Sequence, residues 1–337
     1  MKEALFYENL ENQKVHCFLC RHHCEINDGK RGICGVRENR GGTLYTLVYG
    51  FPCSHHVDPI EKKPLFHFYP GSKAFSIATV GCNFRCRHCQ NHEISQIRKD
   101  DGHIYGQRMT PSEVVEGALK SGCKSISYTY TEPTIFFEYA LDCAKLSKEK
   151  GICNNFITNG YIEQEPLKTI RPYLDGANID LKSFNHDFYK KVCGAELGNV
   201  LASIRTFRSL GIWIELTTLV IPGYNDSEDE FRAITRFIKN DLGTETPWHV
   251  SAFYPTYKLT DVSRTPAKTL QRAREIGFEE GLRYVYTGNI PGEDGENTYC
   301  WSCKKLVVGR YGYTISEYNI KDGACLFCGA IIDGVGM

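Results

Sequence analysis

The sequence contains no apolar run long enough to cross a bilayer, which excludes an ordinary membrane-spanning helix. It has no excess of either charge: 40 Lys and Arg stand against 40 Asp and Glu, a formal net charge of zero. Broad electrostatic attraction to nucleic acid or to an anionic membrane is therefore not expected, although a local basic patch is compatible with that balance. The first residues, Met1-Lys2-Glu3-Ala4-Leu5-Phe6-Tyr7-Glu8, lack the apolar core of a signal peptide. These absences predict a cytoplasmic protein with no membrane partner, and they disfavour nucleic acid. Cysteine, by contrast, is plentiful: 16 residues in 337, most of them in three clusters. In a reducing compartment such clusters point to metal rather than to disulfides. The length suits one large domain of barrel size with small appendages.

The central cluster is Gly81-Cys82-Asn83-Phe84-Arg85-Cys86-Arg87-His88-Cys89-Gln90-Asn91, a C-x3-C-x2-C spacing. It follows Ala74–Val80, a short apolar run that reads as a buried strand, so the thiols sit on a loop leaving a strand end. Cys82, Cys86 and Cys89 would ligate three irons of a four-iron cluster and leave the fourth open to a substrate or cosubstrate. A zinc knuckle or buried thiols is the alternative.

The other two clusters flank it. Cys17, Cys20, Cys24 and Cys34 lie in a segment too poor in apolar residues to explain them as core. A metal can supply the folding free energy such a unit lacks. Tetrahedral zinc and a second iron–sulfur cluster both suit four thiolates, and unliganded thiols are the third option. His16, His22 and His23 read as solvated neighbours. At the other end, Cys300-Trp301-Ser302-Cys303 and Cys325-Leu326-Phe327-Cys328 flank two predicted hairpin strands. This pattern is that of a zinc ribbon with a closed, structural site, and a rubredoxin-like iron would use the same ligands.

Between the clusters the chain alternates strands and helices. Thr110-Pro111-Ser112-Glu113 predicts a helix start. Predicted strands cover Ser125–Tyr130, Asn155–Thr158, Ala177–Leu181, Trp213–Val220, Trp248–Ala252 and Tyr284–Tyr286, with Asp226 expected to cap a helix. The fold class is α/β: a full or partial (β/α) barrel with small Cys-rich metal-binding appendages at both ends, an open doubly wound sheet being the alternative. The expected divisions are a Cys-rich segment 1–57, a connector 58–72, the barrel 73–292 and a zinc-ribbon-like unit 293–337. The connector, with its prolines and aromatics, is expected to cover the mouth of the site. Polar residues stand at predicted strand ends: Glu132, Thr158, Asp180 and Lys182. His249, near the mouth, is a candidate contact for substrate or cofactor, or a satisfied core histidine.

The cysteine spacing, Thr131-Glu132-Pro133, Thr158-Asn159-Gly160, Asp180-Leu181-Lys182 and Val220–Asp226 resemble, in order, the motifs of radical S-adenosylmethionine (SAM) enzymes of the pyruvate formate-lyase-activating type. The Cys-rich N-terminus, the block Asp58–Gly71 and the motifs Gly81–Cys86, Tyr128–Thr134, Tyr257–Val262 and Gly295–Cys300 together cover nearly the whole chain and resemble the radical SAM member of the AmmeMemoRadiSam system. The resemblance implies a [4Fe-4S] cluster whose open iron chelates SAM, cleaved by one electron to a 5′-deoxyadenosyl radical that abstracts hydrogen. It implies that Glu132 meets the SAM amine, although Tyr130 and Thr131 replace the usual glycines. It further implies that Thr158 and Lys182 approach SAM, that Asp180 holds a cation or SAM, and that Asn91 and His88 complete the cofactor site. His88 stands where the family usually has an aromatic residue. An electron donor such as flavodoxin or ferredoxin and a small-molecule or protein substrate follow. Activation of a glycyl radical enzyme and a non-catalytic iron–sulfur and zinc module are the competing readings.

Overall fold

A computed structural model describes residues 1–97, 102–290 and 294–337. Its centre is an eight-stranded sheet whose strands are hydrogen-bonded in chain order. These are β1 (Ser54–Pro59), β2 (Lys73–Ala78), β3 (Ser125–Tyr128), β4 (Cys153–Thr158), β5 (Gly176–Asp180), β6 (Trp213–Val220), β7 (Trp248–Ala252) and β8 (Val285–Gly288). Strand β1 runs antiparallel to β2, and every later pair is parallel. Strands β2 to β8 are buried nearly throughout, as parallel strands covered on both faces require, whereas the antiparallel edge strand β1 is largely accessible. Strands β1 and β8 remain the two edges of the sheet, so the barrel is partial rather than closed.

Helices α1 (Pro111–Lys120), α2 (Phe137–Glu149), α3 (Gln164–Ile170), α4 (Leu197–Ser209), α5 (Glu228–Phe237) and α6 (Ala267–Glu279) follow successive strands from β2 to β7. The start of α1 is as expected: Thr110 accepts from the Glu113 amide, and Glu113 accepts from the Thr110 amide at 2.6 Å, with Pro111 in the first turn. The cap of α5 is Ser227, not Asp226; its hydroxyl accepts from the Glu230 amide. Asp226 instead accepts from the Gly223 amide at 2.9 Å and closes the preceding turn.

The connector does not cover the mouth. The first of its residues complete β1, so the expected division between 57 and 58 falls inside a strand. The segment then crosses the N-terminal strand ends. Glu215, third in β6, accepts from the amides of Phe66 (3.0 Å) and His67 (2.8 Å), while the Phe68 ring lies against Gly176, first in β5. A side chain at Gly176 would collide with that ring at 3.0 Å, so the floor of the barrel is shaped to admit it. The expected boundary at 292/293 lies outside the described residues.

The two cysteine-rich ends are attached differently. The N-terminal segment forms two three-stranded antiparallel sheets. Its apolar residues Val15, Leu19, Ile26 and Val36 belong to the same core as the barrel. The C-terminal unit, with its hairpin Leu306–Tyr311 and Thr314–Tyr318, has a small core of its own around Val307, Val308, Ile320 and Ile332.

Candidate functional site

A cavity of about 570 Å³ opens among the C-terminal strand ends and extends down to the connector. Its lining includes Cys82, Cys86, Cys89, His88, Asn91, Glu132, Thr158, Asp180, Lys182 and His249, so the structure gathers every expected barrel site residue around one space. The loop after β2 supplies the thiols. The Phe84 amide donates to Cys82 Sγ at 3.3 Å, and Cys89 Sγ lies 3.0 Å from Ser95 Oγ. Cys193, which sequence reasoning did not single out, is buried in hydrogen-bond contact with Cys86.

Glu132 faces the loop from the end of β3 and is 1 % exposed. Its Oε1 accepts from the Thr134 amide (3.0 Å), Thr134 Oγ1 (2.6 Å) and Thr158 Oγ1 (2.8 Å), and its Oε2 accepts from the Asn159 amide (2.8 Å). It therefore caps the turn Pro133–Phe136 and also fastens β3 to β4. Burial pushes its carboxyl above the usual range, against the pull of those donors. Asn159 carries the chain onward: its side-chain amide donates to Asn83 Oδ1 at 2.7 Å, beside Cys82. The backbone freedom expected of glycine before Glu132 is taken up by Tyr130, at φ 61°. An L-residue there is strained. Tyr130 is held by its hydroxyl on Asp58, by Lys63 Nζ 4.4 Å from its ring centre, and by Asn91 Nδ2 donating to its carbonyl at 2.7 Å. Asn91 thus braces the loop against the β3 end.

Across the cavity Lys182 Nζ lies 2.8 Å from Asp180 Oδ2. Burial opposes the ammonium charge, but Asp180 and then the thiols of Cys86 and Cys193 hold its pKa well above the usual amine range. His88 is 4 % exposed, and its Nδ1 has no protein partner. Burial, with Lys182 nearby, lowers its pKa to about 3, so the ring is neutral. His249 is both of the things expected of it: it lines the cavity, and its Nε2 meets the buried Glu215 Oε2 at 2.7 Å. Burial would raise the Glu215 pKa, yet the bond from His249 and the charges of His249 and His67 bring it below the usual range.

The donor set fits an iron–sulfur cluster and an amino-acid-bearing cosubstrate. Three thiols lie on one loop, a carboxylate stands at a neighbouring strand end, an ammonium stands opposite, and a buried imidazole nitrogen lacks a partner. Among the described residues, a second arrangement is the group Cys300, Cys303, Cys325 and Cys328, whose sulfurs all lie within 4.8 Å of one another. It is a metal-ion site separate from the cavity, none of the four cysteines being part of its lining. Cys17, Cys20, Cys24 and Cys34 line a separate small hollow. His22 is not a solvated neighbour as expected: its Nε2 meets the Asn83 carbonyl at 2.7 Å.

Residues 76–238 match the Radical SAM superfamily. The chain is 51 % identical over 335 residues, 99 % of each chain, to the uncharacterized protein MJ0808 of Methanocaldococcus jannaschii. It is 24 % identical over 199 residues to the pyruvate formate-lyase-activating enzyme of Clostridium pasteurianum, covering 54 % of this chain and 80 % of that one. A radical SAM methyltransferase from Sphaerobacter thermophilus shares the fold with a TM-score of 0.52 at 16 % identity, covering 66 % of this chain and 67 % of that one.

Proposed function

Because this chain belongs to the radical SAM superfamily, we propose that Cys82, Cys86 and Cys89 hold its [4Fe-4S] cluster and that the strand ends opposite hold SAM. The cluster and SAM together supply a 5′-deoxyadenosyl radical able to abstract hydrogen from an unactivated carbon. Glu132 accepts from the SAM amine with the acceptor capacity left on Oε2, a charge-assisted bond. Lys182 neutralises the SAM carboxylate, and Asp180 keeps the ammonium oriented. Neutral His88 flanks the adenine, while Thr158 and Asn91 fix the strand and loop that bear these groups. His249 borders the deep end of the cavity, where substrate sits. The single observation that carries this reading is the convergence of all these residues on one cavity of about 570 Å³.

The substrate is a small molecule or a partner protein of an AmmeMemoRadiSam-type system, and the electron comes from a flavodoxin or ferredoxin in the cytoplasm. The similarity to a pyruvate formate-lyase-activating enzyme favours a second reading, hydrogen abstraction from a backbone glycine. Reduced protein incubated with SAM and deuterated candidates of both kinds, with deuterium followed into 5′-deoxyadenosine, separates the two. No 5′-deoxyadenosine under any condition would refute the radical chemistry. For the C-terminal quartet we propose zinc, since a closed set of four thiolates suits it; a tetrahedral ion with Zn–S of about 2.3 Å sets its sulfurs about 3.8 Å apart, a spacing that a rubredoxin-like iron would share. The observed separations are 3.6 Å (Cys300–Cys328) and 3.8 Å (Cys303–Cys325).

A further inference from the structure

We infer that Cys17, Cys20, Cys24 and Cys34 hold a second iron–sulfur cluster, with Arg37 as its buried hydrogen-bond donor, placed to exchange one electron with the group on the Cys82 loop. The placement beside that loop rests on the function proposed above; the cluster itself does not.

Three observations lead there. First, the four cysteines share one hollow of about 20 Å³, yet their sulfurs do not draw into the tight group that the C-terminal quartet forms. A single ion gathers thiolates to a common centre. A cubane spreads them, because each thiolate points outward from its own iron. Cys82, Cys86 and Cys89 likewise do not draw into a group as tight as the C-terminal one.

Second, Arg37 lines the hollow at 2 % exposure. One nitrogen donates to Glu138 Oε1 at 2.8 Å, but Nε and Nη1 have no protein acceptor. Buried guanidinium donors without partners cost free energy. Anionic sulfides and thiolates inside the hollow would accept from them, and hydrogen bonds to sulfur raise a cluster's potential.

Third, the hollow sits against the Cys82 loop. The Cys34 carbonyl lies 2.8 Å from where a β-carbon on Gly81 would be, and Gly81 is at φ 97°. The Arg85 guanidinium donates both to the carbonyl of Ile33, beside Cys34, and to that of Cys82. His22, between Cys20 and Cys24, meets the Asn83 carbonyl. A one-electron carrier of the iron–sulfur or flavin class would reduce this cluster by one electron. The cluster would return to its oxidised state by passing that electron to the group on Cys82, Cys86 and Cys89. No bond is made or broken.

The test is iron and zinc analysis with electron paramagnetic resonance on the anaerobically reconstituted full chain and on its Cys82→Ala/Cys86→Ala/Cys89→Ala variant. The variant should keep about four irons per chain. Its reduced-state signal should be unmoved by SAM, because every iron has a protein ligand. The fully reduced wild type should show line broadening, from coupling of neighbouring clusters, that the variant lacks. Arg37→Gln in that background should shift the remaining signal's midpoint potential downward. An iron-free variant with a second zinc would overturn the inference while iron in the wild type left the proposed function standing. No iron in either protein would sink both. Iron in the variant with a potential insensitive to Arg37→Gln would remove Arg37 from the site, and unbroadened wild-type lines would remove the electron exchange.

Discussion

The two terminal cysteine quartets are held by opposite means. At the C-terminus the sulfurs close to 3.6 and 3.8 Å around a point, inside a unit with its own small core. At the N-terminus they ring a hollow, and the surrounding apolar residues belong to the barrel core. The C-terminal unit needs its metal to fold, because a core of so few residues cannot offset the entropy of ordering the hairpin. The N-terminal segment is already ordered by the barrel, so the cluster inferred there would be free to serve chemistry rather than folding. Neighbours differ in the same sense. The C-terminal unit reaches the floor of the barrel: Asp333 accepts from Arg283 at 2.9 Å and from the Tyr284 hydroxyl at 2.8 Å, and Arg310 donates to the Phe66 carbonyl at 2.8 Å. The N-terminal quartet abuts the cysteine loop at the opposite end.

The sharpest break of this contrast comes from the central loop itself. Cys86→Ala removes a ligand from the redox group proposed to cleave SAM, so 5′-deoxyadenosine formation should fall to the assay background. The zinc proposed at Cys300, Cys303, Cys325 and Cys328 should be unchanged by elemental analysis. Normal turnover in that variant would sink the radical SAM reading of the site.

The next effect concerns the C-terminal quartet alone. Small zinc units draw about 10 kcal/mol or more from their ion. Cys325→Ala, or chelation of the zinc, should therefore unfold the hairpin and admit proteases between Trp301 and Ile331. Barrel iron should stay bound. If iron is lost with the zinc, the two ends are one cooperative unit and the contrast fails.

A smaller effect tests the clamp under the C-terminal unit. His67 is fully buried, its Nδ1 2.6 Å from the Asp333 carbonyl and its Nε2 2.6 Å from the Tyr286 hydroxyl. Burial lowers its pKa from 6.5 to about 4. Between those values the unfolded chain binds the proton and the native chain does not, so stability rises with pH and is lost on acidification. Going from pH 7 to pH 5 should cost about 2 kcal/mol through this group. Urea midpoints of the wild type and His67→Gln at both pH values read it. Equal pH slopes in the two proteins would free His67 of this role.

What was legible in the sequence was local or periodic. Thr110-Pro111-Ser112-Glu113 encodes a helix start in four neighbours, and the spans of β6 and β7 follow from segments rich in aromatic and β-branched residues. The barrel site residues were legible because strand ends point to one side of a parallel sheet. Less legible were features decided by distant partners. Glu215 looks like an exposed residue of an alternating strand, but it is completed by amides 148 and 149 positions away and by His249. The aromatics of Phe66-His67-Phe68 announce burial without saying at which end of the barrel. At 226 and 227 two adjacent oxygens competed for one helix end, and the turn at Gly223 claimed the first. The left-handed backbone at Tyr130 depends on Asp58, Lys63 and Asn91, none of them adjacent to it in the chain.

An effect of similar size is expected at Glu132, on the network Glu132–Asn159–Asn83 that ends at the cysteine loop between the barrel site and His22. Glu132→Ala leaves the amide of Asn159 and the hydroxyls of Thr134 and Thr158 buried without their acceptor, and it withdraws the carboxylate from SAM. Losing a charged acceptor of this kind costs about 1–3 kcal/mol, roughly tenfold or more in affinity. Glu132→Gln keeps one acceptor oxygen and nearly the same shape, so its loss should be milder, toward the lower end of that range. Calorimetric titration of SAM into the reconstituted variants measures both. A role confined to capping Pro133–Phe136 makes a different forecast: both variants melt earlier and bind SAM as the wild type does. The N-terminal quartet's signal supplies the cross-check. If Glu132 acts only on SAM, its substitution leaves that signal alone. If the network transmits the change through Asn83 to His22, the signal shifts along with the affinity.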